Sequence, residues 1–456
     1  MTSEVIIYNK EALAMAADSA VTINSGNKLK TYNTANKLFM LSKFHPIGIL
    51  IYNNSIINNI PVEILIKEYR KQLWKKSFNT IQDYCDDFQK FLNKFLNEQV
   101  KKEKNVPILT IEQLKNKLVI SYLQYIFSII QNNNPNPFFI YQINTFNFNN
   151  FIKNKLKNIL LPLKNNQKNL TSLFTDEELS RLLKMQLTTI NIDIQTDDVL
   201  SILIEYFYVY QINYLNQIST GFAICGYGEK EYSPVVSEFK TLGIIDNKLF
   251  VFDGKNHSDK SSAIIPLAQR NMIDLFIKGI DDNIIETVKC RFSDIINDIL
   301  SKVNSNIASN LNNNANTTIK DKLLRHNETI FQSKTDVFNK YLTSKIQNNL
   351  SPILETLPHL SKEELSTFCE SLVSLQALKH KVSLNLETVG GPIDVAIISK
   401  HDGFIWKKRK FYFDSNLNNH FFENYFVKDE SDSKHNYFSN IYKRLKIIKH
   451  KFKKVN

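Results

Sequence analysis

At 456 residues, 43 % of them hydrophobic, the chain is long enough for two or three domains with a sizeable core, which excludes a small stapled fold. Its four cysteines, Cys85, Cys225, Cys290 and Cys369, are widely spaced and form no Cys-x-x-Cys pair, so neither a disulfide framework nor a structural zinc is expected. The net charge of +12 invites a nucleic-acid reading, but eight Lys/Arg and no Asp or Glu lie between Lys434 and Asn456, which leaves +4 for the other 433 residues.

No apolar run approaches the about 18 residues of a membrane span, and the polar N-terminus, with Glu4, is unlike a secretory signal. The expectation is a cytoplasmic protein whose initiator Met, standing before a small residue, is trimmed to expose Thr2. Thr2 then carries a hydroxyl and a free α-amine, whose ordinary pKa of roughly 7.7–8.0 suits it to take a proton from that hydroxyl. Val5 and Ile7, then Leu13, Met15 and Ala17, predict two strands around a turn at Asn9-Lys10-Glu11, a hairpin that returns Asp18 toward Thr2. A further strand, Leu38 to Leu41, is introduced by Lys37. An ammonium beside a Thr hydroxyl lowers the hydroxyl's pKa, and an aspartate holds that ammonium charged.

Three stretches carry a family resemblance. Thr2 with Ala16-Ala17-Asp18-Ser19 and Asn36-Lys37-Leu38-Phe39, then Thr220 to Gly228 followed by Pro234-Val235-Val236, then Val389-Gly390-Gly391-Pro392-Ile393-Asp394-Val395-Ala396, resemble proteasome β-type subunits and their bacterial relatives, including the Anbu group. These are N-terminal-nucleophile hydrolases. The resemblance implies an α+β fold, a four-layer αββα sandwich, with Thr2 as nucleophile and base and Asp18 and Lys37 as its electrostatic partners. It also implies a peptide or protein substrate and ring-like homo-oligomers, and it calls for no cofactor or metal. At the positions where many active members hold the amine with an acidic residue and a serine, this chain has Leu386 and Val389, with Glu387 or Thr388 as substitutes. The oxyanion donor is expected from a backbone N–H of Asn53 or Asn54, and the family's helix serine from Ser261, with Ser262 its rival. A catalytically inactive scaffold with the same fold is the alternative, favoured by Leu386 and Val389 and opposed by the retained Thr2, Asp18 and Lys37.

After Ser55, apolar residues spaced by three and four from Val62 to Leu73 predict a helix entered by Pro61. Residues 80–218 read as a helical, Asn-rich insertion, either a lid or docking module or lineage-specific padding. Its run Tyr206-Phe207-Tyr208-Val209-Tyr210 is expected to be a buried helix face rather than a base-stacking platform. Strands return from Thr220 to Phe252, and Ser261 to Ile277 reads as a helix through Ile264, Leu267 and Met272. A second helical insertion covers 281–358, with Asn310 to Asn316 as a loop or frayed helix end rather than a site. Ser361 with Glu364 three residues on is a capping box that opens the helix delivering the chain to Gly390-Gly391. The core is thus assembled from 2–79, 219–280 and 359–413, and 414–456 is a basic amphipathic tail suited to nucleic acid, anionic membrane or an acidic partner, or simply to packing on its own core. No spacing among the nine histidines resembles a metal site; His257, two residues from Asp259, is the one placed to enter a cleft near Ser261.

Overall fold

The computed structural model describes residues 3–25, 28–102, 109–132, 145–153, 173–194, 196–310, 317–383, 389–414 and 416–420. Its strands are β1 Ser3–Tyr8, β2 Leu13–Ala17, β3 Val21–Ser25, β4 Lys28–Tyr32, β5 Leu38–Met40, β6 Ile47–Asn53, β7 Ile56–Ile57, β8 Ile60–Pro61, β9 Thr220–Gly226, β10 Val235–Ile245, β11 Lys248–Asn256, β12 Ala263–Ala268, β13 Asp394–Ser399 and β14 Gly403–Lys408. The helices are α1 Val62–Leu73, α2 Ile81–Lys102, α3 Ile111–Asn132, α4 Thr145–Phe151, α5 Asp176–Thr188, α6 Asp197–Ile218, α7 Asn271–Lys278, α8 Asp282–Asn310, α9 Thr317–Thr356 and α10 Lys362–Val382. Residues Lys410–Asn456 form a unit of their own, in which the described Phe411 and Phe413 rings lie 5.4 Å apart.

The mixed α+β fold is built on two five-stranded antiparallel sheets, β12-β1-β2-β13-β14 and β11-β10-β9-β6-β5. Successive side chains of a strand point to opposite faces, so a strand buried on both faces reads as a nearly continuous apolar run. In β1, Ile6 and Tyr8 pack with Leu50, Tyr52, Ala223 and Cys225 of the second sheet. Val5 and Ile7, on its other face, pack with Ile273, Leu365, Cys369 and Leu372 of α7 and α10. The second sheet behaves likewise, because Ile47, Ile49 and Ile51 face Leu65, Tyr69, Phe88 and Leu92 of α1 and α2. Gly48 lets the sheets approach, since a Cβ there would stand 2.5 Å from the Met15 methyl.

The expected boundary near residue 80 falls between two helices that share one cluster with the sheet, and the Phe88 ring of α2 lies 5.2 Å from Phe222 of β9. Helices α3 to α6 form a separate apolar cluster that meets the sheet through Ile245 and Phe252. Tyr206 and Phe207 are buried in it, and Tyr122 donates to the Leu203 carbonyl at 2.9 Å, so the Tyr/Phe run packs the helices.

One expected element is corrected. Ser261 to Ile277 is not a single helix: Ala263–Ala268 pairs with β1, and helix begins only at Asn271. Pro266 lacks the N–H that a helix interior needs, whereas an edge strand tolerates it. Ala263, Ile265 and Leu267 alternate toward the second sheet, the period of a strand. The capping box at α10 forms as read, with Ser361 Oγ accepting from Glu364 N–H and the Glu364 carboxylate accepting from Ser361 N–H at 2.9 Å. Leu311 to Asn316, most of the expected loop, lie outside the described residues.

Candidate active site

The hairpin of β1 and β2 places Ser3 opposite Asp18, and the two residues exchange backbone and side-chain bonds. Asp18 N–H donates to the Ser3 carbonyl at 3.2 Å, and Ser3 N–H, the amide that follows Thr2 in sequence, donates to Asp18 Oδ1 at 3.0 Å. Asp18 Oδ2 accepts from Ala20 N–H at 3.2 Å and from Gly390 N–H at 2.9 Å. The carboxylate therefore ties together the start of β1, the end of β2 and the Gly-Gly turn before β13.

Lys37 reaches this carboxylate from the other sheet. Its backbone carbonyl accepts from Ile51 N–H at 2.9 Å, which fixes it at the mouth of β5, and its Nζ donates to Asp18 Oδ1. Glu4 supplies a second carboxylate, 3.7 Å from the same Nζ. Asp18 and Glu4 are fully buried and Lys37 is 3 % exposed, so one ammonium is held between two carboxylates out of water. In such surroundings an ion pair is offset against desolvation only when its remaining lone pairs are bonded. The three backbone N–H groups on Asp18 meet that condition.

The structure brings Asp18 and Lys37 together. Thr2, Glu387 and Thr388 lie outside the described residues, as does Leu386, while Val389 is buried. Asn53 ends β6 in a left-handed conformation, φ 66°, and its Nδ2 donates to the Asn216 carbonyl at 2.9 Å. Asn54 is a correction: its backbone N–H is given to the Ser219 carbonyl at 3.2 Å, so it is not an open donor for an oxyanion. Ser261 and Ser262 are a second correction. They precede Ala263, the partner of Tyr8, whereas the cluster lies at the Ser3 end of β1, roughly 17 Å away along the strand.

Glu4 is a member of the cluster that sequence reasoning missed. Its only signal is a lone carboxylate at the start of a strand whose next four residues are all buried and apolar or aromatic. A second polar group lies between the sheets: Tyr52 Oη donates to Glu238 Oε2 at 3.2 Å, and His257 Nε2 is 2.7 Å from Glu238 Oε1. Burial, then the Glu238 charge, pushes the Tyr52 hydroxyl far above its ordinary pKa and keeps it a donor. His257 thus turns to Glu238 rather than to a cleft at Ser261. Among the described residues no group of three or more His, Cys, Asp or Glu is arranged to hold a metal ion, and no helix is long and apolar enough to cross a membrane. Burial pushes the Cys225 and Cys369 thiols well up, which makes them poor nucleophiles.

No protein-family model and no curated protein matches the chain. Among solved structures it is similar to Anbu from Hyphomicrobium sp. strain MC1, at 10 % identity and a TM-score of 0.25, over 95 % of this chain and 98 % of that one. A likeness of that size does not bear on the chemistry.

Proposed function

We propose that the chain is a threonine-type N-terminal-nucleophile hydrolase that cleaves peptide or other amide bonds. The observation that carries this reading is the buried Asp18–Lys37 pair, fastened to the amide that follows Thr2. With Met1 removed, Thr2 Oγ attacks the substrate carbonyl carbon while the Thr2 amine accepts the hydroxyl proton. The amine returns that proton to the leaving nitrogen, and water then hydrolyses the acyl ester and frees the hydroxyl. Lys37 stabilises the developing negative charge on Oγ, and Asp18 positions Lys37. The Asn53 backbone N–H is the proposed oxyanion donor, and Glu387 or Thr388 the proposed anchor of the amine.

The scaffold we infer is a four-layer αββα sandwich, supported by the three apolar clusters between helices and sheet, between sheet and sheet, and between sheet and helices. Residues 2–79, 219–280 and 359–413 are its proposed core, with α2 joining it by packing.

Intact mass and N-terminal sequencing of untagged protein, before and after a threonine-directed epoxyketone, test the reading. A chain that begins at Thr2, gains one inhibitor mass and loses that labelling in Thr2→Ala supports it. Retained Met1, or a free Thr2 inert to several such probes, overturns it in favour of an inactive scaffold.

A further inference from the structure

Helices α8 and α9 form a long antiparallel hairpin. Asn327 Nδ2 donates to Asn304 Oδ1 at 3.3 Å, the Phe292 and Phe338 rings stack at 3.9 Å, and Asn349 Nδ2 donates to the Lys278 carbonyl at 3.0 Å, so residue numbers rise on one helix as they fall on the other. The seam between them runs through Phe292 and Ile296 on α8 and through Phe331, Phe338 and Leu342 on α9, all partly buried.

Each helix also carries a second apolar stripe outside this seam. On α8 it is Ile284, Val288, Ile295 and Ile299; on α9 it is Leu323, Ile330, Val337 and Tyr341. At about 100° per residue, both stripes lie roughly a quarter-turn from the seam and in the same rotational sense. In an antiparallel pair, equal rotations in the same sense bring both stripes to one side of the hairpin, where Ile299 neighbours Ile330, Ile295 neighbours Val337 and Val288 neighbours Tyr341. These side chains are 38–62 % exposed. Together they present on the order of 700 Å² of apolar surface, which approaches the roughly 800 Å² per partner of a standard interface and exceeds the patches usual on monomers.

We infer that this face is a contact between two copies of the chain, hairpin on hairpin, in a four-helix bundle. The seven-residue steps from Leu323 to Ile330 to Val337 are the spacing of a helix–helix seam. The two stripes are of similar length, as a self-complementary contact requires.

Light scattering and sedimentation velocity of the full chain across the micromolar range test the contact, with Ile295→Glu/Val337→Glu as the variant. Both positions are exposed, so far-UV circular dichroism should stay unchanged, while the assembly mass should fall at least two-fold. An unmodified chain that is monomeric throughout, or a folded variant that keeps its mass, overturns the inference. Neither residue touches the Asp18–Lys37 cluster, so epoxyketone labelling of Thr2 reports on the hydrolase reading separately.

Discussion

Replacing Asp18 with Asn should loosen the backbone amides that bond its carboxylate more than replacing Lys37 with Met does. In Asp18→Asn one carboxylate oxygen becomes an NH₂ that faces donors. If the remaining oxygen keeps Ser3 N–H and Lys37, the amide confronts Ala20 N–H and Gly390 N–H; flipped, it confronts the other two. Each buried donor left unsatisfied costs about 1–3 kcal/mol, and the Lys37 ammonium also loses its nearest counter-charge. The expected loss is on the order of 4 kcal/mol. Lys37→Met leaves the Asp18 and Glu4 carboxylates buried without their cation, a loss of about 3–5 kcal/mol, while Asp18 keeps three backbone donors. Urea unfolding gives the total loss in each variant, and amide hydrogen exchange localises it. Protection at Gly390, or at Ser3 if the amide flips, should fall by about 100-fold or more in Asp18→Asn relative to amides elsewhere in the same strands, since each 1.4 kcal/mol is about tenfold, and should fall no more than theirs in Lys37→Met. Equal local losses of protection in both variants, or unchanged exchange in Asp18→Asn, would refute the reasoning.

Three further predictions concern the frame around this cluster. Burial opposes the charged form of Asp253, yet the Lys240 hydrogen bond and charge, with Lys255, hold its carboxyl below the usual aspartate value. That contribution is present above about pH 4, the unfolded aspartate's pKa, and is lost as pH falls through the lower folded value. Lys240→Met should therefore lower the melting temperature at about pH 7 and flatten the decline below about pH 4; a parallel pH profile would contradict this. Gly391 has φ +76°, and an added Cβ would stand 2.8 Å from Asn33 Cβ, so Gly391→Ala should cost about 1–3 kcal/mol and raise exchange at Gly390. An unchanged unfolding midpoint counts against it. Ser361→Ala removes half of the α10 capping box and should cost about 1 kcal/mol by the same unfolding measurement, with Ser361→Thr close to the parent.

What the sequence made legible was whatever short-range pattern decides. The hairpin needed only two apolar runs and a polar turn, and it alone carries Asp18 to Ser3. Lys37 was legible because it directly precedes a strand, so its backbone position followed from β5. The Ser261 region failed for the opposite reason: Ile264, Leu267 and Met272 fit a helical period by coincidence, and pairing to β1, more than 250 residues away, decided for a strand. Pro266 was the local clue. Asn54 failed because its N–H is taken by Ser219, at the far end of a long insertion.

Glu4 shows a different limit. A glutamate near a terminus reads as solvent-exposed, and its burial depends on a lysine that arrives from the other sheet. Neither residue predicts the contact alone. A carboxylate in an otherwise wholly buried strand is costly unless a cation meets it, so the combination of a two-face buried strand with one acidic residue is itself a search for that cation. Here the cation is Lys37, already claimed by Asp18, and the shared ammonium joins the two sheets at the point where the chain's first described residue enters the fold.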